Sequence, residues 1–227
     1  MKKQVEPLID IATVILVSGL AFFLEDFVHS KGWIKVGPEV RGVSSVLAGA
    51  IAAVVITFAR GRNFSDLGFM RPKRWGITAL QVAAILITFI AAQNLVPQII
   101  SIFIEIPDPD MSRYESISGN LGLAIAMAFL FPITASIPEE IIYRGFLMDR
   151  ISSIFSQKKG VSIIAVFTQG IIFSLVHFQW GIGGMILTLS MGIIWGVAYL
   201  LCGRNLWVVI LAHSGGHILF VIYLYLN

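Results

Sequence analysis

The sequence predicts an all-α fold, a polytopic membrane helical bundle of about seven to eight transmembrane helices. Two observations carry this reading. Of 227 residues, 57% are hydrophobic and only 13% charged, with a mean hydropathy of +0.86, outside the balance of water-soluble domains. The apolar runs are also unbroken, as in Ile11 to Leu24 and Val46 to Phe58, where a barrel strand would alternate polar with apolar residues. The length gives room for roughly seven spans of about 20 residues, and so for one integral membrane domain over residues 1–227.

Taken in order, the first apolar stretch follows Lys2 and Lys3 and continues from Leu8 to Leu24 before Glu25 and Asp26. It is too long for the core of a secretory signal and reads as a retained span. Spans are expected at about Leu8 to Val28, Glu39 to Arg60, Trp75 to Phe103, Asn120 to Ser136, Gly160 to Phe178, Gly183 to Cys202 and Leu206 to Leu226. The loop after the second span carries Arg60, Arg62, Arg71, Lys73 and Arg74. The loop after the third carries Glu105, Asp108, Asp110 and Glu115 against Arg113 alone. Basic loops face the cytoplasm, so the N-terminus is expected there too, with Arg144, Arg150, Lys158, Lys159 and Arg204, provided that Pro138 to Gln157 forms a shallow, partly inserted helix. Full crossing by that segment would give eight spans and invert the downstream charge. Asn63 to Trp75 mixes Phe64, Leu67, Phe69 and Met70 with basic residues and reads either as an interfacial segment or as an ordinary charged loop. Gly184, Thr188, Gly192 and Gly196 recur at every fourth position of the sixth span, a face on which helices approach closely.

The sequence pI near 9.1 reflects these loops and calls for no nucleic acid; the partner it implies is the lipid bilayer of a cell membrane. Cys202 is the sole cysteine, so neither an internal disulfide nor a cysteine metal cluster can form.

Ionisable residues inside apolar stretches are costly and mark functional sites. Ser136-Ile137-Pro138-Glu139 has capping-box spacing with proline near a helix start, so a helix is expected to begin there. On it, Glu140 and Arg144 stand four residues apart in the favourable order for an ion pair. Glu139, about 100° round the axis, is left free to cap the helix or act as a base. Phe173 and His177 lie one turn apart near the end of the fifth span, where the imidazole serves either chemistry or a backbone carbonyl. His213 and His217 share a face of the last span across Ser214-Gly215-Gly216. That spacing suits a transition metal or the stabilisation of an oxyanion. The chain contains no H-E-x-x-H and no G-x-S-x-G elbow.

These residues resemble the CAAX protease and bacteriocin-processing family, also called the Abi or type II CAAX prenyl endopeptidase family. Glu139-Glu140-Ile141-Ile142-Tyr143-Arg144 is similar to its EExxxR motif, Phe173 to His177 to its FxxxH motif, and His213 to His217 to its closing HxxxN motif, with histidine at 217 in place of the usual asparagine. Asn63 to Trp75 more loosely resembles the interfacial segment before the family core, and the motifs place that core in residues 136–227. The resemblance implies an intramembrane endopeptidase acting near the cytoplasmic face on a peptide or lipidated-peptide substrate. Glu139 and His177 would activate water, with His213 and His217 at the oxyanion and Glu140, Arg144 and Phe173 in support. No cofactor is favoured. The alternative is zinc held by His177, His213, His217 and Glu139, with water still the nucleophile. Two other classes fit the residue types: a non-catalytic bacteriocin-immunity protein or membrane scaffold, and a proton-coupled transporter, for which paired half-helices in two repeats are missing from the sequence.

Overall fold

The computed structural model describes residues 2–35, 37–155 and 160–227. Seven main helices follow one another up and down: α1 (Lys2–Ser30), α2 (Val43–Ala59), α3 (Trp75–Ser101), α4 (Leu121–Ile154), α5 (Val161–Leu175), α6 (Gly181–Leu201) and α7 (Leu206–Leu226). Six helical stretches are long and apolar enough to cross a membrane; α5, at 15 residues, is shorter. At 1.5 Å per residue it covers only about 22 Å of the roughly 30 Å hydrocarbon layer.

Two helix starts are closed by their own N-cap side chains. Asn120 accepts from Leu123 N–H at the start of α4, and Asn205 accepts from Trp207 N–H at the start of α7. The start of α2 is capped from outside itself: the Glu25 carboxylate of α1 accepts from the N–H groups of Gly42 and Ser44 and from the Ser44 hydroxyl. Orphan donors at a helix N-terminus favour an anion, so this contact also sets the angle between α1 and α2.

The expected break at Ser136 does not occur. Leu121–Ile154 is one helix of 34 residues, about 51 Å long. Pro138 is accommodated because the turn before it widens to π-helical geometry over Pro132–Ser136, and the helix widens again over Ile141–Leu147. Within a bilayer a broken helix would leave carbonyls without water, so widening is the less costly response to proline. Ser136 is helical (φ −55°, ψ −51°) and caps nothing. Glu139, Glu140, Arg144, Phe146, Leu147 and Met148 are buried along the bundle axis. Arg144, expected at the basic face, has 0% exposure and lies in the interior instead.

The basic loops gather at one end. Asp10 of α1 bridges Arg60 after α2 and Arg150 of α4, and Asp149 bridges Arg62 and Arg150. Asn63 to Trp75 folds against the bundle. It is an Asn63-capped turn (Phe64–Leu67) that buries Leu67, sets the Leu67 carbonyl close to Gly145 and accepts the Leu206 N–H on the Gly68 carbonyl. Lys158 and Lys159 lie outside the described residues. At the opposite end Arg113 donates to the Pro38 and Arg41 carbonyls, Asp110 N–H to Trp180 O, and Gly119 N–H to Tyr225 O.

The small-residue face of α6 meets α5 back to back. A Cβ on Gly192 would stand 2.9 Å from Gly170 Cα, and one on Gly196 would stand 2.7 Å from Gln169 Nε2. Gly192→Ala is therefore expected to force the two backbones apart at a cost of about 1–3 kcal/mol, seen as a lower melting temperature in detergent. Gly76→Ala, where a Cβ meets nothing within 4 Å, should melt like the unaltered protein.

Candidate functional site

One cavity of about 700 Å³ runs along the bundle axis, and Glu139, His177, His213 and His217 all line it. That size suits a bound small molecule or a short peptide segment. Glu140, Arg144 and Phe173 lie directly behind its wall, each 0% exposed.

The wall is built from the Arg144–Glu140 pair. Arg144 Nη1 donates to Glu140 Oε1 at 2.9 Å, as the spacing on α4 predicts, and Nη2 donates to the Gly192 carbonyl at 3.2 Å. The same carbonyl accepts from Gln169 Nε2 at 2.7 Å. Glu140 Oε1 also accepts from His213 Nδ1 at 2.8 Å. His213 thus carries its proton on Nδ1 and turns Nε2, which is buried without a hydrogen-bond partner, toward Glu139 Oε2 at 3.8 Å. Adjacent carboxylates on α4 address the two nitrogens of one ring.

His217 has a different partner. Its Nδ1 lies 2.8 Å from Ser136 Oγ, the only hydrogen-bond partner of that fully buried hydroxyl among the described residues. A buried O–H is satisfied only by donating, so Ser136 donates to Nδ1, and Nε2 carries the His217 proton. The rings are held in a stack: Phe89 on Trp195 (5.2 Å), Trp195 on His213 (5.6 Å) and His213 on His217 (4.7 Å), with interplanar angles of 27–28°. Such stacking fixes ring planes that single hydrogen bonds leave free to rotate.

His177 takes the backbone option as well as facing the cavity. Its Nδ1 donates to Phe173 O at 2.7 Å, which leaves the Nε2 lone pair available. The ring packs between Phe173 (4.7 Å) and Trp180 (5.0 Å). Phe173 in turn lies under the Arg144 guanidinium (5.2 Å) and edge-on to Tyr143, so it joins the ion pair to His177. Among the described residues no direct hydrogen bond or ion pair links Glu139 to His177; the direct imidazole neighbour of Glu139 is His213. At the open end of the cavity, burial pushes the Tyr114 phenol above its usual range, so it stands there as a neutral hydroxyl.

The zinc alternative needs its ligands to converge. Among the described residues no three His, Cys, Asp or Glu side chains are grouped closely enough to hold one ion, and the three imidazole Nδ1 atoms are engaged by Ser136, Glu140 and Phe173. As arranged, the side chains do not fit a zinc centre.

Sequence reasoning missed Ser136 as a partner of His217, Trp195 in the ring stack, and Gln169. Gln169 had a legible signal: a polar residue in an apolar helix, four before Phe173 and eight before His177 on the same face. Away from the basic loops, the cavity is lined by Asp26, Glu39, Arg41, Arg113 and Gln179.

Residues 121–219 match the family model described as Rce1-like type II CAAX prenyl endopeptidase, which bears out the resemblance carried by the three motifs. The matched segment contains Glu139, His177, His213 and His217, and the six helices long and apolar enough to cross a bilayer mark a multi-pass membrane protein. No curated protein and no solved structure matches the chain.

The buried pair gives a stability test. Arg144→Met leaves the Glu140 carboxylate without its cation and is expected to cost about 3–5 kcal/mol, whereas adding Glu140→Gln should restore much of the loss. Thermal unfolding in detergent checks this; equal instability in the single and double variants would count against the pairing.

Proposed function

We propose that this protein is an intramembrane endopeptidase that hydrolyses a peptide bond inside the cavity by a metal-free, glutamate-dependent route. The observation that supports this most is the alignment of Glu139 with the partnerless Nε2 of His213 on a cavity wall. Among the described residues several buried polar atoms lack a partner, but His213 Nε2 is the one that faces a cavity-lining carboxylate, Glu139 Oε2 at 3.8 Å, where a reactant can reach both.

In this reading a water donates one hydrogen to the Glu139 carboxylate and the other to His177 Nε2, which turns its lone pair toward the scissile carbonyl. Attack transfers the water proton to Glu139. The oxyanion accepts from His217 Nε2–H, whose tautomer Ser136 sets, and Glu139 returns the proton to the leaving nitrogen as the C–N bond breaks. His213 Nε2 is placed to share that proton while it resides on Glu139, and Glu140 supports the charged ring as the orienting acid of a hydrolase triad does. Histidine at position 217 in place of asparagine thus keeps a neutral donor at the oxyanion.

The apolar part of the cavity, including Ile11, Val14, Phe22, Val46 and Ile142, suits hydrophobic residues or a lipid tail on the substrate. The matched family is named for prenylated peptide substrates, and a peptide or lipidated peptide is the proposed class here.

Glu139→Gln preserves shape and removes the base. Peptides from membranes and medium of cells carrying this variant should lack the products seen with the unaltered protein, a drop of about 10²–10⁴ in cleavage. Identical peptide profiles, with the variant folded and inserted, would favour an immunity or scaffold role. Near-stoichiometric zinc in purified protein, lost on His217→Ala, would replace the metal-free route.

A further inference from the structure

The two ends of the bundle differ in charge and in closure. Among the described residues, Arg60, Arg62, Arg71, Lys73, Arg74, Arg150 and Arg204 lie at one end, with only Lys31, Lys35, Arg41 and Arg113 in the loops at the other. The Lys/Arg bias of short loops sets orientation, so the first end faces the cytoplasm and carries the start of α1 with it.

That cytoplasmic end is tied together by ion pairs. Asp10, 4% exposed, ties Arg60 and Arg150; Asp149 ties Arg62 and Arg150; and the turn at Phe64–Leu67 is pinned between α4 and the start of α7. None of these charged side chains lines the cavity among the described residues. The charged residues that do line it, beyond Glu139 and the histidines, are Glu25, Asp26, Glu39, Arg41 and Arg113, all at the far end. Asp26 and Arg41 have side chains 66% and 44% exposed, so the cavity meets water there. His177 agrees with this direction: α5 starts at the basic end and delivers the imidazole to the far one.

We infer that the site is reached from the extracytoplasmic face of the membrane, and that its substrate is a polypeptide already on that face: an exported peptide or the outer segment of a membrane protein. On this inference a lipidated tail facing the cytosol does not reach the site. The inference rests on the protease reading of the same site, but its access side is measurable without any cleavage.

The test has two arms. With Cys202→Ser as background, Gln179→Cys at the mouth and Lys73→Cys at the basic end are exposed to a membrane-impermeant maleimide in intact cells. Gln179→Cys should label in intact cells and Lys73→Cys only after permeabilisation; the reverse pattern overturns the inference. In the second arm an impermeant mixture of quenched fluorogenic peptides is offered to sealed right-side-out and inside-out membrane vesicles. Cleavage confined to right-side-out vesicles and lost in Glu139→Gln supports the inference, and cleavage confined to inside-out vesicles overturns it. Outside labelling without cleavage from either side keeps the access side and defeats the protease reading.

Discussion

The structure depends on one buried ion pair. An arginine in the centre of a membrane helix costs about 2.5–3.5 kcal/mol even by the mildest scale, so Arg144 at zero exposure must be answered by its surroundings. The answer organises three helices. Glu140 lies one turn back on α4, the Gly192 carbonyl comes from α6, and α6 reaches it because Gly192 packs on Gly170 of α5. The same Glu140 oxygen that takes the Arg144 hydrogen bond also accepts from His213 of α7. Packing and site are one construction: the contacts that neutralise the cation also orient the imidazole.

The proline response of α4 works in the same direction. A break at Pro138 would have freed the chain just before Glu139. Widened turns keep the helix continuous, hold Glu139 and Glu140 in the bundle core, and bring Ser136 against His217. The ring stack from Phe89 through Trp195 to His217 supports the same residues from α3 and α6. Rigid support of this kind is what positioning for hydrolysis requires, since reacting groups must be held before the substrate arrives.

Much of this was legible from residue spacing alone. Seven helical segments followed from the apolar runs, and the Glu140–Arg144 pair followed from their four-residue separation on a helix. The small-residue face of α6 was read correctly as a packing surface. What escaped were features set by tertiary contact. Ser136-x-x-Glu139 has capping-box spacing, but a box forms only where a helix starts, and the bilayer favoured continuity. Glu139 was paired with His177 because both belong to the motifs, whereas the nitrogen facing it directly belongs to His213, a residue 74 positions away in the chain. Which end of the cavity opens was hidden for a similar reason: a loop's charge can be read from sequence, but not which loops line a pocket.

The central claim is that Glu139 and His213 act as a unit held by Glu140 and Arg144. A double-mutant cycle on kcat/KM tests it most directly, with Glu139→Gln and His213→Gln made singly and together against a peptide that the unaltered protein cleaves. The account predicts that each single change removes most of the rate and that the double variant is little worse than either one, the non-additivity of groups that share one task. Independent, additive losses, or a His213→Gln variant with its rate intact, would contradict it.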